Sequence, residues 1–307
     1  MSQKRLIRDV VRSSYSGLWN AADPFADIQI VARVHLRRNH ALIPFRDHMS
    51  DDDRIRLLDE IQKVMEIETK SFTYFPPSSF EKNDLLLLEE KEVLQNNEIP
   101  DGFGFSDDNV TLIINGSDHI AVSIDSGSSD YENLISRALS VSKLINERIP
   151  FAFSENYGFL FQNPLETGTG IKLSSLIHIP SLSMLKCFPE IRKITDSLGL
   201  SAVPYHEQGG NPLFCTISSR YDHERVEMDA ATQMKKALDL ISNLERDARE
   251  EYYFEFQPQI DDAVWRSFGV LSHSRMISYR EAFEYLSNIR LGIMLSVIKG
   301  FSLSSIN

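Results

Sequence analysis

Residues 163–180 read NPLETGTGIKLSSLIHIP, a glycine-rich turn followed at once by a single cation, Lys172. Gly168 and Gly170 allow a backbone conformation that exposes N–H groups, and exposed N–H groups beside a cation can hold a phosphate. The same glycines can also serve turn geometry alone, and Lys172 can equally be a solvated strand-end lysine. His206 and Glu207 are adjacent and of the right types for an acid/base pair, although nothing in the sequence positions them. In NGSDH (115–119), Asp118 and His119 can finish a hairpin turn. Cys187 and Cys215 lie in no CxxC or Cys/His cluster, so two buried, reduced thiols are expected, with no disulfide framework and no metal site.

Several elements must position these residues. DIQIVARVHLRR (27–38) alternates apolar and polar residues, which predicts a strand with Ile28, Ile30, Ala32, Val34 and Leu36 on one face. Arg33 and His35 fall on the other face. Residues 50–68 predict a helix capped by Ser50 with Asp53, with Ile55, Leu58, Ile61 and Met65 as its buried stripe. Residues 109–125 predict a hairpin whose tight turn uses positive φ at Asn115 and Gly116. A second helix spans 130–149, and short strands are expected near 157–161, 171–179 and 212–219. A long helix over 226–253 is expected to break at Gln257-Pro258-Gln259, with a last helical segment from Asp261. That segment carries a capping box, Ser278 to Glu281, and an apolar stripe of Ala282, Leu286, Ile289 and Ile293. The pattern is α+β: an antiparallel β-sheet surrounded by helices, with a helical C-terminal part. The expected division is an N-terminal arm (1–26), a sheet domain (27–256) and a helical segment (257–307).

The 307 residues are 42% hydrophobic and 25% charged, ordinary globular composition. A formal charge of −12, from 44 acids against 32 bases, argues against a nucleic-acid partner but leaves room for a local basic pocket. The N-terminal stretch lacks an uninterrupted apolar core, and no run of about 18 apolar residues occurs. No signal peptide, no membrane partner and a cytoplasmic location are expected.

The order of these motifs resembles the ATP:guanido phosphotransferases, and most closely their protein arginine kinase branch. DIQIVARVHLRRN is similar to the family's Ser-x-Arg-x-Arg strand with its following Arg-Asn. LIINGSDHIAV sits where the family has Asn-Glu-Glu-Asp-His and then Leu/Ile-Arg. FAFSENYGFLFQNPLETGTGIKLSSLIHIPSL resembles the stretch that carries Cys-Pro, Gly-Thr-Gly, Arg and His-x-Pro. RSFGVLSHSRMISYREAFEYLSNIRLGIML is similar to the helical C-terminal part of the protein arginine kinases. These four blocks keep their order over residues 19 to 298.

The resemblance implies transfer of the γ-phosphoryl of Mg-ATP to a guanidinium nitrogen. Such transfer needs position and an arginine cage around the phosphate oxygens more than covalent help. By the same resemblance Arg33, His35, His119, Gly168, Thr169, Gly170 and Lys172 would line the nucleotide phosphates. The departures are extensive. The second arginine of the strand is His35; the two glutamates are Gly116 and Ser117; the arginine after the histidine is Ala121. The cysteine is Asn163, the arginine after Gly-Thr-Gly is Lys172, and the Arg-Gly-x-x-Gly-Glu loop is replaced by an arginine-free PYHEQGGNPLFCTISS.

Removing one preorganised stabilising donor costs about 3–4 kcal/mol in a transition state, so the expectation is a kept fold with chemistry lost. The leading expectation is a pseudokinase that binds ATP/ADP with Mg2+ weakly and acts as a binding or regulatory module. Its partner would be an arginine-bearing protein or an active paralogue. One alternative is an active phosphotransferase rebuilt around Lys172, His35 and His206, with Glu207 beside it. A second is a ligand-free structural partner in a homodimer joined through the C-terminal helices.

Overall fold

The alternation in 27–38 becomes a ten-residue strand, β1 (Gln29–Arg38), inside an eight-stranded sheet. The computed structural model describes residues 18, 20–68, 72–81, 83–84, 88, 99–106, 109–205, 212–221, 227–303 and 306. Ala32, Val34 and Leu36 are buried on one face of β1, and Arg33, His35 and Arg37 are buried on the other. A register shift between Gln29 and Val31 interrupts the alternation, so Ile28 lies in the core while Ile30 is only half-buried.

Along the chain follow α1 (Asp51–Glu68), β2 (Phe72–Phe75), β3 (Gly102–Ser106), β4 (Val110–Ile114), β5 (Ile120–Ser126) and α2 (Tyr131–Asn146). Then come β6 (Phe153–Ser154), β7 (Gly158–Phe159), β8 (Ile171–His178), α3 (Pro180–Met184), α4 (Phe188–Ser197), β9 (Leu200–Pro204) and β10 (Phe214–Ser219). The chain ends in α5 (Glu227–His273) and α6 (Tyr279–Met294). The sheet order is β2-β3-β4-β5-β1-β8-β10-β9, every pair antiparallel. The molecule is therefore the expected α+β architecture of a large antiparallel sheet and helices.

Side chains from α1, α2, α4 and the first half of α5 pack with Ala32, Val34 and Leu36 in the main core. Each fully buried Leu or Ile there contributes about 1.5–3 kcal/mol. A smaller cluster of Phe75, Leu88, Phe103, Phe105, Ile113 and Ala121 forms a second core. Ile113 and Ala121 pair across β4 and β5, so this core covers the opposite face at that end of the sheet.

Local signals hold with four corrections. Ser50 and Asp53 exchange the expected capping bonds, but the buried stripe of α1 is Leu57, Ile61, Val64 and Met65, while Ile55 is 65% exposed. In the β4–β5 hairpin only Asn115 takes a positive φ (50°), and its N–H bonds to the carbonyl of His119, giving a longer turn than the expected two-residue one. The expected break at 257–259 is a kink instead. Phe256 adopts φ −121°, ψ 28°, and the helix resumes through Pro258 to His273. A proline lacks the N–H for its own helical bond but tolerates a bend just before it, so the chain turns without ending the helix.

The Ser278–Glu281 capping box opens α6 as expected. Of the predicted stripe only Ile289 is fully buried; Ser287, Arg290, Leu291 and Gly292 complete the inward face. A polar junction ties this helix to the sheet. His178 Nε2 lies 2.8 Å from Ser287 Oγ, and Arg290 donates to the carbonyls of Ala26 and Asp27, both at 3.2 Å. Arg246 pairs with Asp27 at 2.7 Å, and fully buried Glu245 accepts the N–H groups of Ser181 (3.1 Å) and Leu182 (2.9 Å). No helix among the described residues is long and apolar enough to cross a membrane.

Candidate functional site

Strand register builds the site. On the face away from the main core, β1 presents Arg33, His35 and Arg37. Pairing with β5 sets Asp125 opposite Arg33 and Ser123 opposite His35, and pairing with β8 sets Ser174 and Lys172 opposite the same two residues. Arg33, His35 and Lys172 thus share one polar face, and the Gly168–Gly170 turn runs directly into β8.

Arg33 is 6% exposed and forked onto Asp125, Nε to Oδ1 at 2.6 Å and Nη2 to Oδ2 at 2.9 Å. A bidentate buried pair of this kind leaves a phosphate to compete with a carboxylate for the same donors. Burial, and then the charges of Arg37, Arg33 and Lys172, push the His35 pKa down to about 3. His35 is therefore neutral at physiological pH and supplies no positive charge to a phosphate. Lys172 is half-buried, with Nζ 5.8 Å from the Tyr221 ring centroid.

The turn is fastened by its carbonyls. Gly168 O accepts from Phe159 N (2.8 Å), Thr169 O from Arg38 Nη1 (2.9 Å), and Gly170 O from Arg37 N (2.8 Å). Gly170 has φ 66°, and a Cβ there would lie 2.6 Å from Phe161 Cζ and 2.8 Å from Arg37 O, so only glycine fits.

His119 is structural in this arrangement. Its Nδ1 accepts from His40 N at 2.9 Å and its Nε2 donates to Pro44 O at 3.0 Å, while burial holds its pKa down at about 4. Its N–H donates to Asn39 Oδ1 at 3.0 Å. Where the resemblance implies two glutamates, the Gly116 carbonyl accepts from Arg46. Asn163, in the place of the cysteine, caps a short 3-10 turn by accepting from Leu165 N at 3.1 Å. Cys215 is buried as expected, with its thiol pushed up to about 12 by burial, whereas Cys187 is only half-buried. Among the described residues no group of three or more His, Cys, Asp or Glu could hold a metal ion. His206 and Glu207 lie outside the described residues.

Arg37, which the sequence reading did not single out, occupies the far end of the same face. Its Nη1 meets Asp118 Oδ2 at 3.0 Å and Glu166 Oε2 at 2.7 Å, and its guanidinium carbon sits 3.6 Å from the Tyr221 centroid and 4.7 Å from that of Phe161. Burial alone would lower the Arg37 pKa, but Tyr221, Asp118 and Glu166 outweigh it and hold the group above the ordinary arginine value. Asp118 is pushed up by burial against the pull of Arg37 and of Asn39, whose Nδ2 donates to it at 2.7 Å. The i, i+2 spacing from Arg33 through His35 was the signal that could have placed Arg37 in this set. Nothing local in the sequence pairs Arg33 with Asp125, 92 residues away.

The arrangement offers Lys172 and a glycine turn for an anion, a charge-paired arginine on each side, and a carboxylate pair closed around a guanidinium. Residues 55–248 match the ATP:guanido phosphotransferase C-terminal catalytic domain, and residues 257–307 match the protein-arginine kinase McsB C-terminal domain. The protein-arginine kinase of Bacillus velezensis is 27% identical over 317 residues, spanning 100% of this chain and 86% of that protein. That of Clostridium acetobutylicum is 26% identical over 291 residues, covering 92% and 86%. Among solved structures, the duplicated taurocyamine kinase of Schistosoma mansoni superimposes with a TM-score of 0.62 at 21% identity, covering 72% of this chain. The chain spans only 33% of that duplicated protein. Lombricine kinase superimposes equally well, TM-score 0.62 at 16% identity, over 76% of this chain and 70% of its own. The sheet, the ordered motifs and the domain match over most of the chain together establish that it belongs to the ATP:guanido phosphotransferase family.

Proposed function

We propose that this family member is a cytoplasmic binding or regulatory module that holds a nucleotide weakly and does not turn it over. The observation that carries this reading is the bidentate Arg33–Asp125 pair, which engages the one clamp arginine left by the substitutions. His35 is neutral beside it, and no carboxylate stands at Gly116 or Ser117 to orient an acceptor. Phosphoryl transfer depends on a cage of cations at the phosphate oxygens, and Lys172 alone does not make one.

The residues present fit a phosphate better than they fit catalysis. Lys172, with the Thr169 and Gly170 N–H groups of the turn, would hold the nucleotide phosphates, the Gly168 N–H being bonded to Phe159 O at 3.1 Å, and Mg2+ would arrive bound to those phosphates. Two modest contacts in a protein of net charge −12 support a Kd on the order of 0.1–1 mM, about 4–5.5 kcal/mol. The protein partner in this reading is an arginine-bearing protein or an active paralogue.

Titration calorimetry with Mg-ADP, paired with a phosphoarginine assay on an arginine-rich protein substrate, tests the reading. The expected result is weak, salt-sensitive binding that Lys172→Ala weakens further, with no acid-labile phosphate on arginine. Phosphoarginine that appears with wild type and disappears with Lys172→Ala would establish a working phosphotransferase instead.

A further inference from the structure

We propose that Asp118, Glu166, Phe161 and Tyr221 form a guanidinium-binding cage and that Arg37 of the same chain is its internal occupant, barring it to an arginine side chain from outside. The inference rests on the reading of this polar sheet face as a guanidino-kinase site without turnover.

The chemistry of the cage selects a cation. Two carboxylates converge on Nη1, at 3.0 Å from Asp118 and 2.7 Å from Glu166, so negative groups outnumber the positive one they surround. Two aromatic rings lie within cation–π range of the guanidinium carbon, at 3.6 and 4.7 Å. Planar, weakly hydrated guanidinium is the cation that such rings and carboxylates recognise best.

The bonding of Arg37 shows that the cage exceeds what its tethered occupant can use. Among the described residues its Nε and Nη2 are buried and have no hydrogen-bond partner, although they form the edge that grips a carboxylate bidentately elsewhere, as in Arg33. The backbone of β1 fixes where the Arg37 guanidinium enters, and only its Nη1 reaches the carboxylates. A free guanidinium carries no such tether and can turn a full edge toward Asp118 or Glu166. An oxyanion on the unpaired edge is the competing occupant, but it would sit beside two carboxylates. Glu166 also lies directly before the Gly168–Gly170 turn, which places any occupant of the cage next to the anion-holding residues. An external acceptor therefore has to displace Arg37 before it can approach a bound nucleotide.

The test is chemical rescue of Arg37→Ala, followed by thermal unfolding with methylguanidinium chloride, and with methylammonium chloride at equal ionic strength as the control. With ligand at about ten times its Kd, the midpoint of Arg37→Ala rises by about 3–5 °C in methylguanidinium. Wild type and Arg37→Met, whose cages remain filled, do not move beyond the methylammonium control. Equal shifts in all three proteins, or none in Arg37→Ala, overturn the proposal. If Arg37→Ala does not accumulate folded, the same salts serve as refolding additives. Higher soluble yield with methylguanidinium than with methylammonium supports the cage, and equal yields overturn it. The readout needs neither nucleotide nor transfer, so phosphoarginine formation by wild type would refute the pseudokinase reading and leave the cage to be judged by rescue alone.

Discussion

Replacing Asp125 by Asn or Ala leaves the Arg33 guanidinium inside the protein without its carboxylate. Arg33 is 6% exposed, and both contacts, 2.6 and 2.9 Å, are short and parallel, so water cannot readily replace them. Breaking one side of such a buried pair costs about 3–5 kcal/mol. For a chain of this size that corresponds to a fall in Tm of roughly 6–20 °C. Removing both charges together, in Arg33→Met/Asp125→Leu, should return stability to within about 1–2 kcal/mol of wild type, because the penalty comes from the stranded ion. The functional consequence runs the other way. Released from Asp125, Arg33 can donate charge-assisted bonds worth about 1.5 kcal/mol net to a phosphate, which tightens ADP about tenfold. Urea denaturation of the two single variants and the double variant, with calorimetry on Asp125→Asn, measures both effects. A stability loss under about 1 kcal/mol, or an unchanged ADP affinity in folded Asp125→Asn, would refute the account of Arg33 as a clamp residue locked from within.

Three further outcomes are expected. Stability should fall as pH drops below about 6.5: the unfolded chain takes protons there, while folded His35 and His119 stay neutral down to about 3 and about 4. Each contributes a slope of about 1.4 kcal/mol per pH unit, and urea midpoints for His35→Gln between pH 7.5 and 5.5 should show a shallower dependence than wild type. Gly170→Ala should cost about 3 kcal/mol or more, since it adds a positive-φ penalty to a 2.6 Å collision with Phe161; a loss under 1 kcal/mol by urea denaturation would contradict the fastened turn. Phe254 and Trp265 on α5 are 92% and 52% exposed, and light scattering at tens of micromolar should give a dimer mass that Trp265→Asp lowers; a strictly monomeric wild type would count against association through the C-terminal helices.

The sequence made the sheet legible where alternation and caps are strong. Residues 27–38, the Ser50-capped helix and the Ser278 capping box all form their elements, because a period of two or a side-chain cap acts over a few residues. It hid what depends on partners. β3 reads GFGFS, and its glycines weaken any strand signal until Tyr74 and Met65 pack where a Cβ would stand. β9 is an edge strand of five residues that ends in Pro204, and only its pairing with β10 identifies it. Ile55 fits a helical stripe as well as Leu57 does, and tertiary packing chose between them. In the site, residue types located Arg33, Lys172 and the glycine turn. Their electrostatic state was not legible, because Asp125 and Tyr221 are distant in sequence and meet Arg33 and Lys172 only through the folding of the sheet.

The kinked α5 has a consequence for cooperativity. At 1.5 Å per residue its 47 residues extend about 70 Å, and it supplies Ile241 and Ala248 to the sheet's core and Ile260 and Val264 to the cluster shared with α6. One continuous girder therefore runs through both hydrophobic units, bent at Phe256 instead of hinged there, with His178–Ser287 and Arg290 riveting the far side. Neither unit can melt without fraying the girder that supports the other, so heating should give a single endotherm. A twist applied at the C-terminal helices by a bound partner would travel along α5 to Glu245, and from there to the backbone that follows β8.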